Sequence, residues 1–86
     1  MKLKVYTSPS CPRCEVLKET LKKLGFPFEE ADVSDSEVMA ELIMRDIYLE
    51  ATPALECEGR IFNSDELFQG DKVNLDVIKK VLEGGK

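Results

Sequence analysis

Cys11 and Cys14 form a Cys-Pro-Arg-Cys run that follows a β-prone segment and precedes an amphipathic stretch ending at Gly25. Pro12 suits the first helical position, where its missing N–H leaves no bond unmade, so Cys11 is predicted to be the helix N-cap. A cysteine there presents its sulfur to unpaired backbone N–H groups, and a second cysteine one turn later can reach it. The pattern predicts a pair of thiols that exchanges electrons.

The helical spacing gives the two sulfurs different surroundings. Cys14 falls on the apolar stripe of the predicted helix with Leu17, whereas Cys11 lies at the open end. The positive end of the helix dipole and the neighbouring Arg13 both favour a thiolate at Cys11. We therefore expect Cys11 to attack the disulfide of a protein or of a low-molecular-weight substrate, and Cys14 to resolve the mixed disulfide. Pro12 and Arg13 are expected to tune the reduction potential.

Metal binding is the alternative use of such a pair. A structural zinc site needs four ligands, and the sequence has no histidine and only Cys57 besides the pair, so zinc within one chain is disfavoured. An iron–sulfur cluster held by Cys11 and Cys14 of two copies stays open, as does an inert pair on a scaffold. Cys57, beside Leu55 in a predicted strand, is expected to be a buried small hydrophobe.

The composition restricts the partners. A chain of 86 residues, 43% apolar and 34% charged, predicts a single domain over residues 1–86. A net charge of -5 argues against nucleic acid and anionic membrane surfaces as partners. The sequence has no apolar run long enough to span a bilayer and no apolar signal core at its start, so we expect the protein in the cytoplasm. We also expect a monomer.

The hydrophobic periodicity predicts the element order β-α-β-α-β-β-α. Strands are predicted over residues 2–7, 26–33, 53–57 and 60–62. The first helix runs from Pro12 to Leu24, Ser34 caps the second, Ser64 caps a short turn and Asn74 caps the last helix. Two right-handed crossovers and a hairpin then give an α/β fold, a four-stranded mixed sheet with helices on both faces.

Apolar side chains on the second and last helices are expected to face the sheet. These are Val38, Met39, Leu42, Ile43, Leu75, Val77, Ile78, Val81 and Leu82. In sheets of this kind, sites form beyond the strand ends, which is where Cys11 follows the first strand.

Two segments carry a resemblance to a known family. The run Val5-Tyr6-Thr7-Ser8-Pro9-Ser10-Cys11-Pro12-Arg13-Cys14 resembles the active-site opening of glutaredoxins and related small thioredoxin-like redoxins. Ala51-Thr52-Pro53-Ala54-Leu55 is similar to the family's cis-proline segment. The resemblance implies a thioredoxin-like fold, a cis peptide bond before Pro53, and a role for Thr52 and Pro53 in orienting a disulfide-bearing protein substrate.

The same resemblance bears on the electron donor. Ser64-Asp65 is similar to the family's pair that binds the γ-glutamyl end of glutathione. Ser8, however, stands where the family commonly has a basic residue, and Phe62-Asn63 stands where it has two glycines. Glutathione and a thioredoxin-reductase-type flavoprotein both stay open as reductants. The exchange chemistry itself requires neither a metal nor an organic cofactor.

Overall fold

The structure, a computed structural model, describes residues 3–47, 49, 52–70 and 72–84. Four strands form the central sheet in the order β2-β1-β3-β4. They are β1 (Leu3–Thr7), β2 (Glu29–Asp32), β3 (Ala54–Cys57) and β4 (Arg60–Phe62). Strand β1 is parallel to β2 and antiparallel to β3, and β3 is antiparallel to β4. The mixed four-stranded sheet is therefore confirmed.

Helices and a short ribbon surround this sheet. The helices are α1 (Pro12–Leu24), α2 (Ser36–Met44), α3 (Ser64–Leu67) and α4 (Leu75–Gly84). Between α3 and α4, strands β5 (Phe68–Gln69) and β6 (Lys72–Val73) pair antiparallel. The sequence does not predict this ribbon, because a strand of two residues is too short to show an alternation of apolar and polar residues. Within the described residues, no helix has the length and apolar character needed to cross a membrane.

Helix α1 begins and ends where the sequence predicts. Cys11 is its N-cap, and the Cys11 Sγ accepts the backbone N–H of Cys14 at 3.1 Å. Gly25 follows the last helical residue with φ of 81°, a left-handed conformation that glycine adopts without steric cost. These local signals place Cys11 between the end of β1 and the first turn of α1.

One side of the sheet, the α1/α4 face, carries the larger apolar core. Strand alternation points Leu3, Val5 and Leu55 to this side, where α1 and α4 cover them. Its buried members are Leu3, Val5, Leu17, Leu21, Leu55, Cys57, Leu67, Phe68, Ile78, Val81 and Leu82. The predicted burial of Cys57 is confirmed, with 2% of the residue exposed.

The opposite side, the α2 face, has a smaller core and a polar rim. Its buried members are Tyr6, Ala31, Leu42 and Ala54. The Tyr6 hydroxyl donates to Glu56 at 2.6 Å, and Arg45 forms an ion pair with Glu56 at 2.8 Å. Helices thus lie on both faces, as predicted.

The cap of α2 differs from the prediction. Asp35, and not Ser34, is the N-cap, since the Asp35 carboxylate accepts the N–H of Glu37 at 2.9 Å. The Ser34 hydroxyl instead donates to Asp32 at 2.7 Å. Serine and aspartate are both good N-caps. Because the Ser34 hydroxyl is bonded to the Asp32 carboxylate at the end of β2, Asp35 caps the helix.

The buried side of α2 is also narrower than predicted. Leu42 is buried and Val38 is half-buried, whereas 43% of Met39 and 65% of Ile43 are exposed. Apolar spacing indicates a face but does not fix its width, and this helix covers only a small cluster on the sheet. On α4 the same correction applies to Leu75, which is 50% exposed.

Strand bounds and one connection also need correction. Strand β2 covers Glu29–Asp32 and not residues 26–33, because Phe26 and Phe28 pack against the α1/α4 core from a loop. Strand β3 begins at Ala54, one residue later than predicted. The second predicted crossover is wrong, since β3 runs antiparallel to β1 and lies on the opposite side of it from β2.

The short helix α3 has a different cap from the one predicted. Asn63 precedes the helix, and its backbone N–H donates to the Glu66 carboxylate at 3.0 Å. Ser64 is the first helical residue, and its hydroxyl is used elsewhere. Lys2 in the predicted first strand and Ala51 in the proline segment lie outside the described residues.

Candidate redox site

The two sulfurs of the site are joined in a disulfide. The Cα atoms of Cys11 and Cys14 lie 5.3 Å apart across this bond. Cys14 is only 2% exposed on the inner side of α1, whereas Cys11 is half-buried at the end of the helix. One sulfur is therefore reachable from solvent and the other is shielded, as the helical spacing predicts.

Two hydrogen-bond donors face the Cys11 sulfur. The backbone N–H of Cys14 lies 3.1 Å from it, and the Thr52 hydroxyl lies 3.7 Å from it. Hydrogen bonds to a charged acceptor are stronger than those to a neutral one, so both donors stabilise negative charge on this sulfur. Pro12 contributes no N–H, which limits what the backbone of the first turn can donate.

The segment that contains Thr52 is held in place by a hydrogen bond from α3. The Thr52–Pro53 peptide bond is cis, as the resemblance implies. The Ser64 hydroxyl donates to the Pro53 carbonyl at 2.6 Å, and Ser64 is itself 2% exposed. Asp65 is exposed beside it and, in the part of the chain described, makes no hydrogen bond to either cysteine. The structure thus places the Thr52 hydroxyl at the Cys11 sulfur, and Ser64 holds the following residue, Pro53, through its carbonyl.

Ser8 is a contact of this site that the sequence reading missed. Its hydroxyl lies 2.6 Å from the Thr52 hydroxyl, although the two residues are 44 positions apart in the chain. No feature of a single sequence indicates a hydrogen bond over such a separation. The sequence indicates only that Ser8 lies in the loop directly after β1 and within the segment that resembles the family's active-site opening.

Arg13 extends away from the helix end towards the β5–β6 ribbon. The centre of its guanidinium lies 5.6 Å from the centroid of the Phe68 ring, a distance at which a cation is attracted to an aromatic face. Arg13 is exposed and Phe68 is buried. The cation is therefore held on the surface next to the disulfide.

An open groove of about 530 Å³ runs along the other side of the disulfide. Its wall carries one cation and three carboxylates, because Lys18 lies 2.9 Å from Glu15 and 3.3 Å from Glu30, and Asp32 lines the groove as well. The Thr7 hydroxyl donates to Glu30 at 3.3 Å. The pKa of Lys18 is raised, first by its hydrogen bond to Glu15. The groove next to the sulfurs therefore carries more negative than positive charge.

Metal ligands were a second possibility raised by the cysteines. Over residues 3–47, 49, 52–70 and 72–84, no group of three or more cysteines and carboxylates stands together in a way that could hold a metal ion.

Comparisons with known proteins agree with this geometry. A family model described as Glutaredoxin matches residues 3–61. The thioredoxin-like protein BC3987 is similar in structure, with a TM-score of 0.71, 25% identity, and 93% of this chain and 99% of that chain covered. A single-site mutant of it gives a TM-score of 0.70 and 28% identity, with 94% and 99% covered. These matches confirm the thioredoxin-like fold.

A further structural match is more distant. The NrdH-redoxin from Escherichia coli, a glutaredoxin-like protein with a thioredoxin-like activity profile, has a TM-score of 0.60 and 22% identity. The match covers 73% of this chain and 82% of that chain, and at this identity it supports the fold alone. The comparison with curated proteins finds no match.

Proposed function

This chain belongs to the glutaredoxin family, and on that premise we propose that it reduces disulfides of other proteins through Cys11 and Cys14. The observation that carries the proposal is the disulfide between a half-buried Cys11 and a buried Cys14, beside a cis proline. A reachable sulfur with a shielded partner is the arrangement that two-step thiol–disulfide exchange needs. We assign this activity to the cytoplasm, where thiols are kept reduced.

The proposed reaction starts from the dithiol form. The Cys11 thiolate attacks one sulfur of the substrate disulfide, a bond forms between them, and the other substrate sulfur leaves as a thiolate. The thiol of Cys14 then loses its proton and attacks the Cys11 sulfur. The mixed disulfide breaks, the second substrate sulfur leaves as a thiolate, and the Cys11–Cys14 bond forms. Two electrons have passed to the substrate, and no metal or organic cofactor takes part.

Thr52 and Pro53 are proposed to orient the substrate. Thr52 lies against the Cys11 sulfur, and Pro53 is held by the buried hydroxyl of Ser64. An extended segment that brings its disulfide to Cys11 meets the backbone of Thr52 at once. Arg13, exposed next to the disulfide, favours substrates with acidic residues beside their cysteines.

We propose a flavoprotein reductase, and not glutathione, as the electron donor. The Ser64 hydroxyl is already bonded to the Pro53 carbonyl, so it is not directed outward to a γ-glutamyl group. Ser8 offers no positive charge for a glutathione carboxylate. Asp65 keeps the glutathione route as the alternative that the test must address.

The test measures reduction of a protein disulfide under two electron supplies. One contains NADPH and thioredoxin reductase, and the other contains NADPH, glutathione reductase and glutathione. We expect turnover with the first, loss of turnover in Cys11→Ser, and a trapped mixed disulfide in Cys14→Ser. Cys57→Ala serves as the matched control, because Cys57 is buried away from the pair.

Three results would contradict the proposal in different ways. Turnover with glutathione alone would overturn the assignment of the donor but not the exchange chemistry. If neither electron supply sustains turnover and Cys11→Ser reacts like the unchanged protein, the proposed oxidoreductase activity is contradicted. Visible absorbance from a cluster shared by two copies would support the iron–sulfur alternative instead.

A further inference from the structure

We propose that Ser8 is a positioning residue of the redox site, whose hydroxyl holds the Thr52 hydroxyl against the Cys11 sulfur so that it stabilises the thiolate. The inference rests on the proposed function and deepens it, because it names how the attacking sulfur is kept charged. Three atoms carry it, the Ser8 Oγ, the Thr52 Oγ1 and the Cys11 Sγ. The two hydroxyl oxygens lie 2.6 Å apart, and the Thr52 oxygen lies 3.7 Å from the sulfur.

The sheet register brings Ser8 and Thr52 together. Tyr6 of β1 stands opposite Ala54 of β3 in the antiparallel pair. Ser8 lies two residues after Tyr6 and Thr52 lies two residues before Ala54, so an extension of this register beyond the strand ends sets Ser8 opposite Thr52. Pro53, which lies between Thr52 and Ala54, has no N–H with which to continue the backbone ladder. The contact between the two strands at this point is therefore made by side-chain hydroxyls.

The chemistry of the three groups sets the direction of the hydrogen bonds. A thiolate has no proton, so the Thr52 hydroxyl must donate to it. A hydroxyl has one proton, and with that proton directed to sulfur the Thr52 oxygen is left as an acceptor. Ser8 is then the donor to Thr52. In the reduced protein the order is Ser8 to Thr52 to Cys11, and the charge on sulfur polarises both bonds.

Among the described residues, few groups around the Cys11 sulfur can stabilise a thiolate there, so the Thr52 hydroxyl and the serine bonded to it matter. Pro12 has no N–H to offer to the Cys11 sulfur. The donors described at the Cys11 sulfur are the Cys14 N–H and the Thr52 hydroxyl, both of them neutral dipoles. Because a dipole acts only over a short range and when aligned, the residue that fixes the Thr52 hydroxyl matters. Ser8 and Thr52 are both half-buried, so water competes less with their bond.

The test follows alkylation of Cys11 by iodoacetamide against pH in the reduced protein, with the modified cysteine identified by mass spectrometry. Thr52→Val removes the hydroxyl at constant shape and should raise the pH midpoint by about one unit, the size of a hydrogen bond to a charged group. Ser8→Ala should raise it by about half as much, since the Thr52 hydroxyl stays but loses its alignment. Thr52→Ser should keep the midpoint close to that of the unchanged protein.

The double variant separates this inference from a general loosening of the site. If Ser8 acts through Thr52, Ser8→Ala should add nothing in the Thr52→Val background. Ser36→Ala, in the exposed first turn of α2, is the matched serine control and should leave the midpoint unchanged. An unchanged midpoint in Ser8→Ala, or additive shifts in the double variant, would overturn the inference. If Thr52→Val fails to fold, Ser8→Ala and Thr52→Ser still decide it.

Failure of this inference is distinguishable from failure of the proposed function. The alkylation measurement uses neither a substrate disulfide nor an electron donor. Normal turnover with an unmoved midpoint in Ser8→Ala would remove the role of Ser8 and leave the oxidoreductase. If the midpoint shifts as expected but no turnover is seen, the role of Ser8 stands and the proposed oxidoreductase activity is contradicted.

Discussion

The two faces of the sheet are stabilised in different ways. The α1/α4 face buries one continuous apolar cluster in which Leu17 and Ile78 are wholly inaccessible. The α2 face buries a cluster of four residues and joins its helix to the sheet through Arg45 and Glu56. Helix α1, which contains Cys14 and is capped by Cys11, belongs to the first face. The geometry of the sulfurs is therefore fixed by apolar packing, whereas α2 is attached in part by charged groups.

The polar groups on the α2 face are coupled to one another. The pKa of Glu56 is lowered, first by its hydrogen bond to Arg45 and also by its bond to Tyr6. Burial, followed by the same carboxylate, raises the pKa of Tyr6 to about 12. Lys4 lies 3.7 Å from Glu41 of α2. The stability of this face should therefore respond to acid, whereas the buried cluster of the α1/α4 face contains no carboxylate.

The largest effect is expected from truncation on the α1/α4 face. Leu17 is fully buried one turn after Cys14, so Leu17→Ala leaves a cavity between α1 and the sheet. We expect a loss of about 3 kcal/mol in the free energy of unfolding, measured by urea titration of the oxidised protein. A loss below about 1 kcal/mol would show that this face is not the main source of stability.

A smaller effect is expected from the same substitution on the α2 face. Leu42 is buried, but its cluster is small and the helix around it is exposed, so the site can collapse more easily. Leu42→Ala should cost about 2 kcal/mol in the same titration. Ile43→Ala on the outer side of α2 is the control and should change stability by less than about 0.5 kcal/mol. Equal losses for Leu42→Ala and Leu17→Ala would remove the difference between the faces.

The smallest effect, and the one that depends on pH, is expected at Glu56. Because the folded protein lowers the pKa of this carboxyl, its contribution to stability is present at neutral pH. The contribution is lost as the pH falls below the ordinary range of a glutamate and through the lowered value. Glu56→Gln should therefore lower the urea midpoint at pH 7 and lower it much less in acid. Glu19→Gln, at an exposed position on α1, is the control.

The opposite pH trend would contradict this account of the α2 face. If Glu56→Gln and the unchanged protein differed more in acid than at pH 7, the ion pair with Arg45 would not be stabilising the folded state. The same result would move the difference between the faces from charge to packing alone.

Local signals were predictable from the sequence, and contacts between distant segments were not. The start and end of α1 follow from Cys11, Pro12 and Gly25, which act within one turn of the chain. The cap of α2 fell one residue away from its predicted place, because the choice depends on Asp32 at the end of β2. The depth to which α2 is buried depends on the sheet beneath it, and no periodicity within the helix reports that.

The same division applies to the site. The cysteine motif predicted which sulfur is shielded, and the family resemblance implied the cis bond at Pro53. The hydrogen bonds of Ser8 and Ser64 were not predicted, since each joins segments that only the folded sheet and α3 bring together. Ser64 in particular was expected as a cap or a ligand contact. It is not the cap, and the bond from its hydroxyl to the Pro53 carbonyl was not predicted, while a ligand contact stays a prediction.

The third cysteine has a consequence for how the protein withstands repeated oxidation. Cys57 pairs with Leu3 across β1 and β3, at the end of the sheet opposite to the one that leads to Cys11. Its sulfur lies 3.8 Å from the Val81 carbonyl, and burial raises the pKa of this thiol. In the folded chain only the Cys11–Cys14 disulfide can therefore form. A disulfide between Cys57 and Cys11 or Cys14 would require the sheet to unfold first. The folded protein therefore keeps a single disulfide pairing through repeated oxidation and reduction.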